Sequence, residues 1–498
     1  MRQLTHNGIL FPKYEPRGFR ITIEGKNVAL NPQQEEMAVA WVNKLGTDYA
    51  EDSVFISNFF ADFCKALGLI KSLGPDAFDF SEIAKYVEDE KTKKLAMSKE
   101  EKKQLAAERK AIREANRVKF GRAIVDGEEV DLGNYMAEPS CIFMGRGKHP
   151  LRGRWKQGPS EEDIVLNLSP DAPRPLGRWK EIVWQPEFMW IAKWDDKLRG
   201  EEKYVWLADS SSVKQEREIE KYDKARALDR KIDELRAHIT ANLTAPDMKR
   251  RKIATVSYLI DALKFRVGDE KDKDETDTIG ATTLRPEHIK IRDNGRVVFD
   301  FLGKDSVRFF KEVELHAQVV DNIREFMTNA NSSIFQGVRS DNVREFLSEV
   351  VFGLSAKAFR TYHASKTVDQ YLKSAKVSKN DPDYIKKNVA TLANLEAAIM
   401  CNHKRKLPKT WESSLGKKME RLKMLQAKKT KKSLQSVKAL KIKIKTMKLT
   451  RNYNLGTSLK SYVDPRLYYR WGRRVEFDWK LYYPKTLQRK FSWIEKTQ

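Results

Sequence analysis

The chain has 498 residues, with 95 Lys/Arg against 70 Asp/Glu, a net charge of +25 and a pI near 9.6. Hydrophobic content of 40% and aromatic content of 10% exclude a disordered polyelectrolyte. No run approaches about eighteen apolar residues, so no membrane-spanning helix is expected.

The length allows roughly two to four domains with real cores. The N-terminus lacks a charged-then-apolar leader, which points to an intracellular protein. Cys64, Cys141 and Cys401 lie far apart in the chain, so neither a disulfide framework nor a zinc site is expected, and they read as small buried hydrophobes. The basic balance is a usual signature of polyanion binding. The plain alternative is a basic factor of another kind, ribosomal or chaperone-like.

In chain order, Arg20–Ile23 and Asn27–Leu30 flank Glu24-Gly25-Lys26, which predicts a hairpin. Asn31-Pro32 starts a helix whose apolar positions include Met37, Val39, Trp41, Val42 and Leu45. A long charged helix is predicted from about Ser98 to Lys119, opened by the capping-box pair Ser98 and Glu101. Residues 140–212 are rich in Gly, Pro and Trp, with short alternating runs at Trp190–Trp194 and Tyr204–Leu207, so strand and loop are expected there.

From about Ser212 the pattern turns helical. Lys249–Val267 places Ile253, Val256, Ile260 and Leu263 on one stripe, with Gly268 as the expected stop. Val297, Phe299 and Phe301 alternate, Gly303-Lys304-Asp305-Ser306 turns, and Val307, Phe309 and Val313 return, a second hairpin. Residues 343–373 and 381–403 read as helices, the second with Asp381 as N-cap and Pro382 in its first turn.

Pro408–Leu449 reads as an antiparallel helix pair. Leu415, Met419 and Leu422 mark one seam; Leu434, Val437, Leu440, Ile444 and Met447 mark the other, around a basic turn at Lys428–Ser433. Only a narrow stripe is apolar, so the pair should project from the body. Between Lys404 and Arg451 there are 18 Lys/Arg and two acids, Glu412 and Glu420, a net +16 that is well over half of the charge on the whole chain.

The segment Leu455-Gly456-Thr457-Ser458-Leu459-Lys460-Ser461-Tyr462-Val463-Asp464-Pro465-Arg466 closely resembles the active-site tyrosine motif of eukaryotic-type DNA topoisomerase IB, which reads LGTSK-x-NY-x-DPR. The resemblance implies that Tyr462 attacks a DNA phosphodiester. Such an attack needs fixed cations on oxygens that gain charge in the transition state. A guanidinium suits them because its planar fork holds two oxygens and never loses its proton. The departing deoxyribose oxygen needs a proton donor, a role for lysine. The tyrosine conserves the bond energy in a phosphotyrosyl ester.

Taken singly, any Lys, Arg or Tyr of this chain is surface charge or core packing. Context selects five of them. Arg266 lies in Leu263-Lys264-Phe265-Arg266-Val267-Gly268, and Lys304 in Phe299-Asp300-Phe301-Leu302-Gly303-Lys304-Asp305-Ser306. Arg360 lies in Ala356-Lys357-Ala358-Phe359-Arg360-Thr361-Tyr362, on a helix that Ser355 is placed to cap, and His403 in Met400-Cys401-Asn402-His403. With Tyr462 they follow the family's order Arg, Lys, Arg, His, Tyr. By resemblance, Lys304 protonates the 5′-hydroxyl leaving group and His403 donates a hydrogen bond to a phosphate oxygen. Read alone, His403 is a helix-end histidine near the dipole.

The resemblance covers nearly the whole chain, through Phe11-Pro12, Tyr14-Glu15-Pro16, Asn58-Phe59-Phe60-Ala61-Asp62-Phe63, Met97-Ser98-Lys99-Glu100-Glu101-Lys102 and Gly145-Arg146-Gly147-Lys148-His149-Pro150. It implies an α+β multidomain DNA clamp: a mixed α/β cap over residues 1–211, a mainly helical, tyrosine-recombinase-like catalytic core over 212–406, a coiled-coil linker over 407–450, and a C-terminal domain with the tyrosine over 451–498. Arg146, Lys148, Lys271, Thr278, Asp305 and Ser461 fall at family positions at or near bound DNA. The implied partner is double-stranded DNA, encircled by a monomer. The implied reaction is transient nicking through a 3′-phosphotyrosyl bond, rotation and religation, with no cofactor and no metal.

The sequence also departs from the family. Ser461 stands where most members have Asn, beside the cleavage site and at a contact for camptothecin-type poisons. Lys460 is displaced from its usual place after Ser458, Asp269 replaces a common Asn, and the linker is short, roughly 42 residues, which should change how rotation is braked. The cap motif begins almost at Met1, so the long N-terminal tail of cellular members is not expected; a compact viral enzyme or a trimmed chain would account for that. Nuclear localisation, or a viral compartment, follows accordingly, with Lys404-Arg405-Lys406 and Lys428–Lys432 as import signals or linker charge.

Two competitors remain open. Tyrosine recombinases carry His-x-x-Arg at the second arginine, where this chain has Lys357 and Arg360, and they lack the cap motifs. A catalytically silent DNA clamp would be expected to have lost at least one of the five residues. No G-x-x-x-x-G-K-[ST] phosphate loop is present, since Gly303-Lys304 is followed by Asp305.

Overall fold

The computed structural model describes residues 1–145, 147, 149–268, 278–328, 330, 332–428 and 430–496, apart from the side chains of Asp305, Lys431 and Lys432. Helices and strands are mixed throughout, an α+β protein, in two compact units with the main division after Lys214. Among the described residues, no helix is long and apolar enough to cross a membrane.

The first unit is built on local signals that the sequence carries openly. Glu24 and Gly25 both take positive φ (45° and 81°), the two-residue turn whose twist matches paired strands, and join Arg20–Ile23 to Lys26–Ala29. Asn31 caps the helix Pro32–Val42 in a reciprocal box with Gln34. That helix buries Met37, Ala38, Trp41 and Val42, while Val39 is only half-buried and Leu45 lies beyond the helix end, exposed. The helix Ser53–Ala66 packs its Phe59 ring on Trp41 at 4.9 Å. Ser98 caps Lys99–Phe120 in the expected box with Glu101, and none of that helix's residues is buried. The stretch that follows is strand and loop, with a four-stranded sheet in the order Glu181–Val183, Val165–Asn167, Trp190–Asp195, Glu202–Trp206; the first pair is parallel.

The second unit takes in most of the helix Ser212–Asn242, which buries Tyr222, Ala225, Leu228, Ile232, Leu235 and Ile239 along one stripe. The helix Met248–Leu263 ends four residues earlier than its pattern suggests. Lys264, not Gly268, takes the left-handed conformation at φ 62° and donates its N–H to the Ile260 carbonyl. The reason is tertiary: Phe265 must turn into the core, where its ring meets Phe299, Phe301 and Phe309 at 5.4, 5.3 and 4.9 Å. Gly268 serves a close approach instead, since a Cβ there would lie 2.6 Å from the Gly280 Cα.

A three-stranded antiparallel sheet follows, Ile289–Ile291, Val297–Gly303 and Val307–Val313, with Gly303 opposite Val307 across the tip. The helical stretch expected over 343–373 is two helices, Ser340–Ser348 and Ala356–Ser374, parted by a turn at Gly353 (φ 67°). Ser355 is the N-cap residue of the second but makes no side-chain cap bond. The next helix, Asp383–Met400, has Pro382 as its N-cap residue; Asp381 instead accepts from the Ser378 N–H at 2.7 Å, closing the preceding turn.

The helices Trp411–Ala427 and Lys431–Leu449 pack side by side. Val437 and Ile444 are buried while Leu434 is exposed, so the seam of the second helix runs through Val437, Leu440, Ile444 and Met447. Its C-terminal half is anchored, with Thr446 bonded to Asn388 of the helix Asp383–Met400. The chain closes with Leu455–Ser461, Pro465–Val475 and Lys485–Lys490 around a second core.

Candidate active site

The site is assembled from helix ends of the second unit. Asp383–Met400 finishes with Asn402 in the left-handed region (φ 54°). The His403 N–H reaches back to the Ala398 carbonyl and the Asn402 N–H to that of Ile399. This is the paired bonding of a left-handed helix cap, a position that asparagine tolerates better than most residues. The cap turns His403 inward, where it is 7% exposed. Its carbonyl accepts the Asn454 N–H at 2.7 Å, and Arg405 N–H bonds the Asn452 carbonyl. The two stems of the helix pair are thereby joined beside the site.

Arg360, on Ala356–Ser374, is buried at 6% exposure. Its Nη1 donates to the Lys264 carbonyl at 2.5 Å, and its Nη2 donates to the Cys401 carbonyl at 2.9 Å and meets His403 Nε2 at 3.2 Å. A guanidinium has only donors, so Nε2 is the acceptor and the imidazole proton sits on Nδ1. The Arg360 Nε and His403 Nδ1 are both buried without a partner among the described residues. The guanidinium lies 5.1 Å from the Tyr462 ring centroid, and the His403 and Tyr462 ring centroids lie 5.2 Å apart, the planes tilted by 31°.

Burial first, then the charges of Arg360 and Arg266, push the His403 pKa down to about 3. The imidazole is therefore neutral at physiological pH, a hydrogen-bonding group without charge. Arg266 itself is half-buried in the non-helical stretch after Lys264, and its carbonyl accepts the Ala281 N–H at 2.8 Å. The Cys401 thiol is buried, which raises its pKa against the opposing pull of Arg360, Arg266 and Lys264.

Tyr462 is the C-cap residue of Leu455–Ser461 and is 3% exposed. Asp464 then caps the next helix with Pro465 in its first turn. The Asp464 carboxylate pairs with Arg466 at 2.9 Å and Arg226 at 3.3 Å, and Arg466 pairs with Asp223 at 2.8 Å. The residues after Tyr462 thus fasten the turn to the helix Ser212–Asn242.

The structure brings Arg266, Arg360, His403 and Tyr462 together. Lys304 stands exposed at the hairpin tip, in the short turn Lys304–Ser306, and none of the contacts above includes it. The same hairpin is tied to the His403 loop, because the Asn402 side chain donates to the Arg308 carbonyl at 3.3 Å. Of the candidate DNA contacts, Thr278 is buried and Ser461 half-buried at the helix end before Tyr462. Arg146, Lys148 and Lys271 lie outside the described residues, as does the side chain of Asp305.

Sequence reading missed the two carbonyls that hold Arg360, those of Lys264 and Cys401. Main-chain acceptors carry no residue identity, so no motif could reveal them. It also missed Ser365, which bonds the Tyr462 turn across 97 residues of sequence. The left-handed Asn402 was within reach, since Asn followed by His at a helix end fits such a cap.

Three family models match in succession: the DNA binding fragment of eukaryotic DNA topoisomerase I over residues 1–207, its catalytic core over 210–436, and the C-terminal topoisomerase domain over 434–498. DNA topoisomerase 1 of Drosophila melanogaster is 34% identical, over 98% of this chain and 53% of its own length. DNA topoisomerase 1 of Homo sapiens is 33% identical, over 98% of this chain and 70% of its own. The protein of Pan troglodytes named DNA topoisomerase I, mitochondrial is 33% identical, over 99% and 89%. The chain belongs to the eukaryotic DNA topoisomerase I family. It spans a little over half the length of the fly relative and of the Arabidopsis thaliana relatives, 53% and 58%.

Proposed function

We propose that the protein is a type IB DNA topoisomerase, which relaxes positive and negative supercoils by nicking one strand, letting it rotate and resealing it. The observation that carries this reading is the buried contact of Arg360 with His403 and with the ring of Tyr462.

Tyr462 is the nucleophile, attacking phosphorus in line and expelling the 5′-oxygen, so that the strand is held as a 3′-phosphotyrosyl ester. Arg360 has five N–H donors; three contacts to protein leave its Nε–H and one Nη1–H for phosphate oxygens. Arg266 adds positive charge to the same oxygens, and His403 adds a neutral hydrogen bond. Together they stabilise the charge that builds on the phosphoryl group. Lys304, exposed on its hairpin, delivers a proton to the 5′-oxygen as it leaves. Religation is the same path in reverse. The ester conserves the bond energy and side chains meet the charge, so the proposed reaction uses neither ATP nor metal.

The remaining expectations extend the same reading. Residues 1–211 form the cap, 212–406 the catalytic core, 407–450 the coiled-coil linker and 451–498 the tyrosine domain, and as a monomer they encircle double-stranded DNA. Arg146, Lys148, Lys271, Thr278, Asp305 and Ser461 line the duplex. The cations of the linker meet phosphates with little regard to sequence. The nucleus is the proposed location; the named relatives are eukaryotic, one of them named as mitochondrial.

Stopping the reaction with denaturant tests the chemistry. End-labelled duplex should remain covalently attached to the protein through the fragment on the 5′ side of the cut, whose new 3′ end carries the phosphate, with Tyr462 as the modified residue, and Tyr462→Phe should give no adduct while binding DNA as before. An adduct on another residue, or on the fragment lying 3′ of the cut through its 5′ end, would overturn the proposal.

A further inference from the structure

We propose that Ser365 is a positioning residue for the Tyr462 nucleophile, its hydroxyl fixing the tyrosine's main chain to the helix that carries Arg360. The inference rests on the function proposed above.

The Ser365 Oγ–H donates to the Tyr462 carbonyl at 3.3 Å, and the same Oγ accepts the Asp464 N–H at 3.0 Å. One hydroxyl therefore bridges the residue that would attack and the residue that caps the following helix. On its other side, Tyr462 donates its N–H to the Ser458 carbonyl at 2.9 Å, and Val463 donates to the same carbonyl at 3.0 Å. The tyrosine's peptide units are held at both ends, on Leu455–Ser461 before and on Ser365 after.

Holding matters at this residue because it lies just past the last residue of its helix, with only its N–H in the helical bonding. Tyr462 has φ −124° and ψ −34°, outside the helical range at the end of a short, seven-residue helix. The salt bridges of Asp464 with Arg226 and Arg466 act two residues further on. Ser365 lies five residues along Ala356–Ser374 from Arg360, about 1.4 turns and about 7.5 Å of helix rise. Through that rigid rod it sets the distance between the nucleophile's main chain and the guanidinium.

In-line attack needs the phenol oxygen close to phosphorus in one narrow geometry, and a misplacement of about 1 Å can cost about a hundredfold in rate. A hydroxyl that restricts the Tyr462 backbone raises the fraction of time spent there. It touches neither phosphate nor the departing oxygen. Its loss should slow cleavage and religation by the same factor, since both pass through one transition state, and should leave the cleavage equilibrium and DNA affinity unchanged.

The test uses the full chain on a duplex whose cleaved fragment diffuses away, with adduct formation followed in a single turnover. Ser365→Ala should form adduct about 10- to 100-fold more slowly, with religation slowed equally and the duplex Kd within about twofold of wild type. Ser365→Thr, which keeps the hydroxyl, should recover most of the rate. Thr and Val have the same shape, so the pair Ser365→Thr and Ser365→Val isolates the hydroxyl even if the alanine variant is too unstable to assay. A residue that merely supports the fold would lower affinity or the reactive fraction and would make Thr and Val alike. Equal rates for Thr and Val, or a wild-type rate for Ala, would overturn the proposal. Absence of adduct from the wild-type protein would instead sink the topoisomerase reading on which it rests.

Discussion

The neutrality of His403 makes the sharpest quantitative prediction. Burial and the neighbouring guanidinium groups put its pKa at about 3, against 6.5 for the free side chain. At pH 5.5 such an imidazole is protonated in about one molecule in 300, whereas an ordinary histidine would be about 90% protonated. The folded pKa lies below the unfolded one, so the unfolded chain takes up the extra proton. The stabilising contribution is complete above about pH 6.5 and is lost progressively as pH falls towards 3. Between pH 7 and pH 5 the loss amounts to about 2 kcal/mol, from about 1.4 kcal/mol per pH unit over one and a half units. His403→Gln keeps an uncharged hydrogen-bonding side chain and removes the titration. Urea unfolding of both proteins at pH 7 and pH 5 should show the wild type losing about 2 kcal/mol more than the variant. His6, pushed down to about 4 by burial, and His363, also lowered chiefly by burial, titrate in both proteins and cancel in the comparison. Equal losses in the two proteins, or an imidazole resonance of His403 titrating near 6.5, would show that His403 is not held neutral by burial.

Lys304 is predicted to act on the leaving group alone. Lys304→Ala should slow cleavage by about 10²- to 10⁴-fold on ordinary DNA and recover nearly fully on a duplex with a 5′-bridging sulfur at the cut, because a thiolate departs without a proton; single-turnover cleavage of both substrates checks it. Deleting Lys409–Leu449 should leave cleavage intact, because the stems remain joined through Arg405 and Asn452, and should weaken binding and flatten its salt dependence. Binding isotherms at several salt concentrations measure that, and an unchanged slope would rule the linker out as a DNA-contacting element.

What could be read from the sequence was what local chemistry decides. The Glu24-Gly25 turn, the Asn31 and Ser98 capping boxes and the alternation through Val297, Phe299 and Phe301 each carry their own signal, and each appears in the structure. The end of Met248–Leu263 was misjudged because the need to bury Phe265 outweighs a helical pattern that runs on to Val267. Asp381 was misplaced as a cap because its carboxylate has a nearer donor in Ser378. The candidate residues were legible through their motifs. The geometry among Arg360, His403 and Tyr462 was not, since it depends on carbonyls of Lys264 and Cys401 and on a serine hydroxyl far away in the chain.

The proposed function requires Tyr462 to break and reseal DNA using side-chain chemistry alone. Negatively and positively supercoiled plasmids, each incubated with the protein in EDTA and without ATP, test it most directly beside Tyr462→Phe. The wild type should relax both signs while the variant binds DNA and relaxes neither. Relaxation by the variant, or none by a wild-type protein that binds DNA, would contradict it.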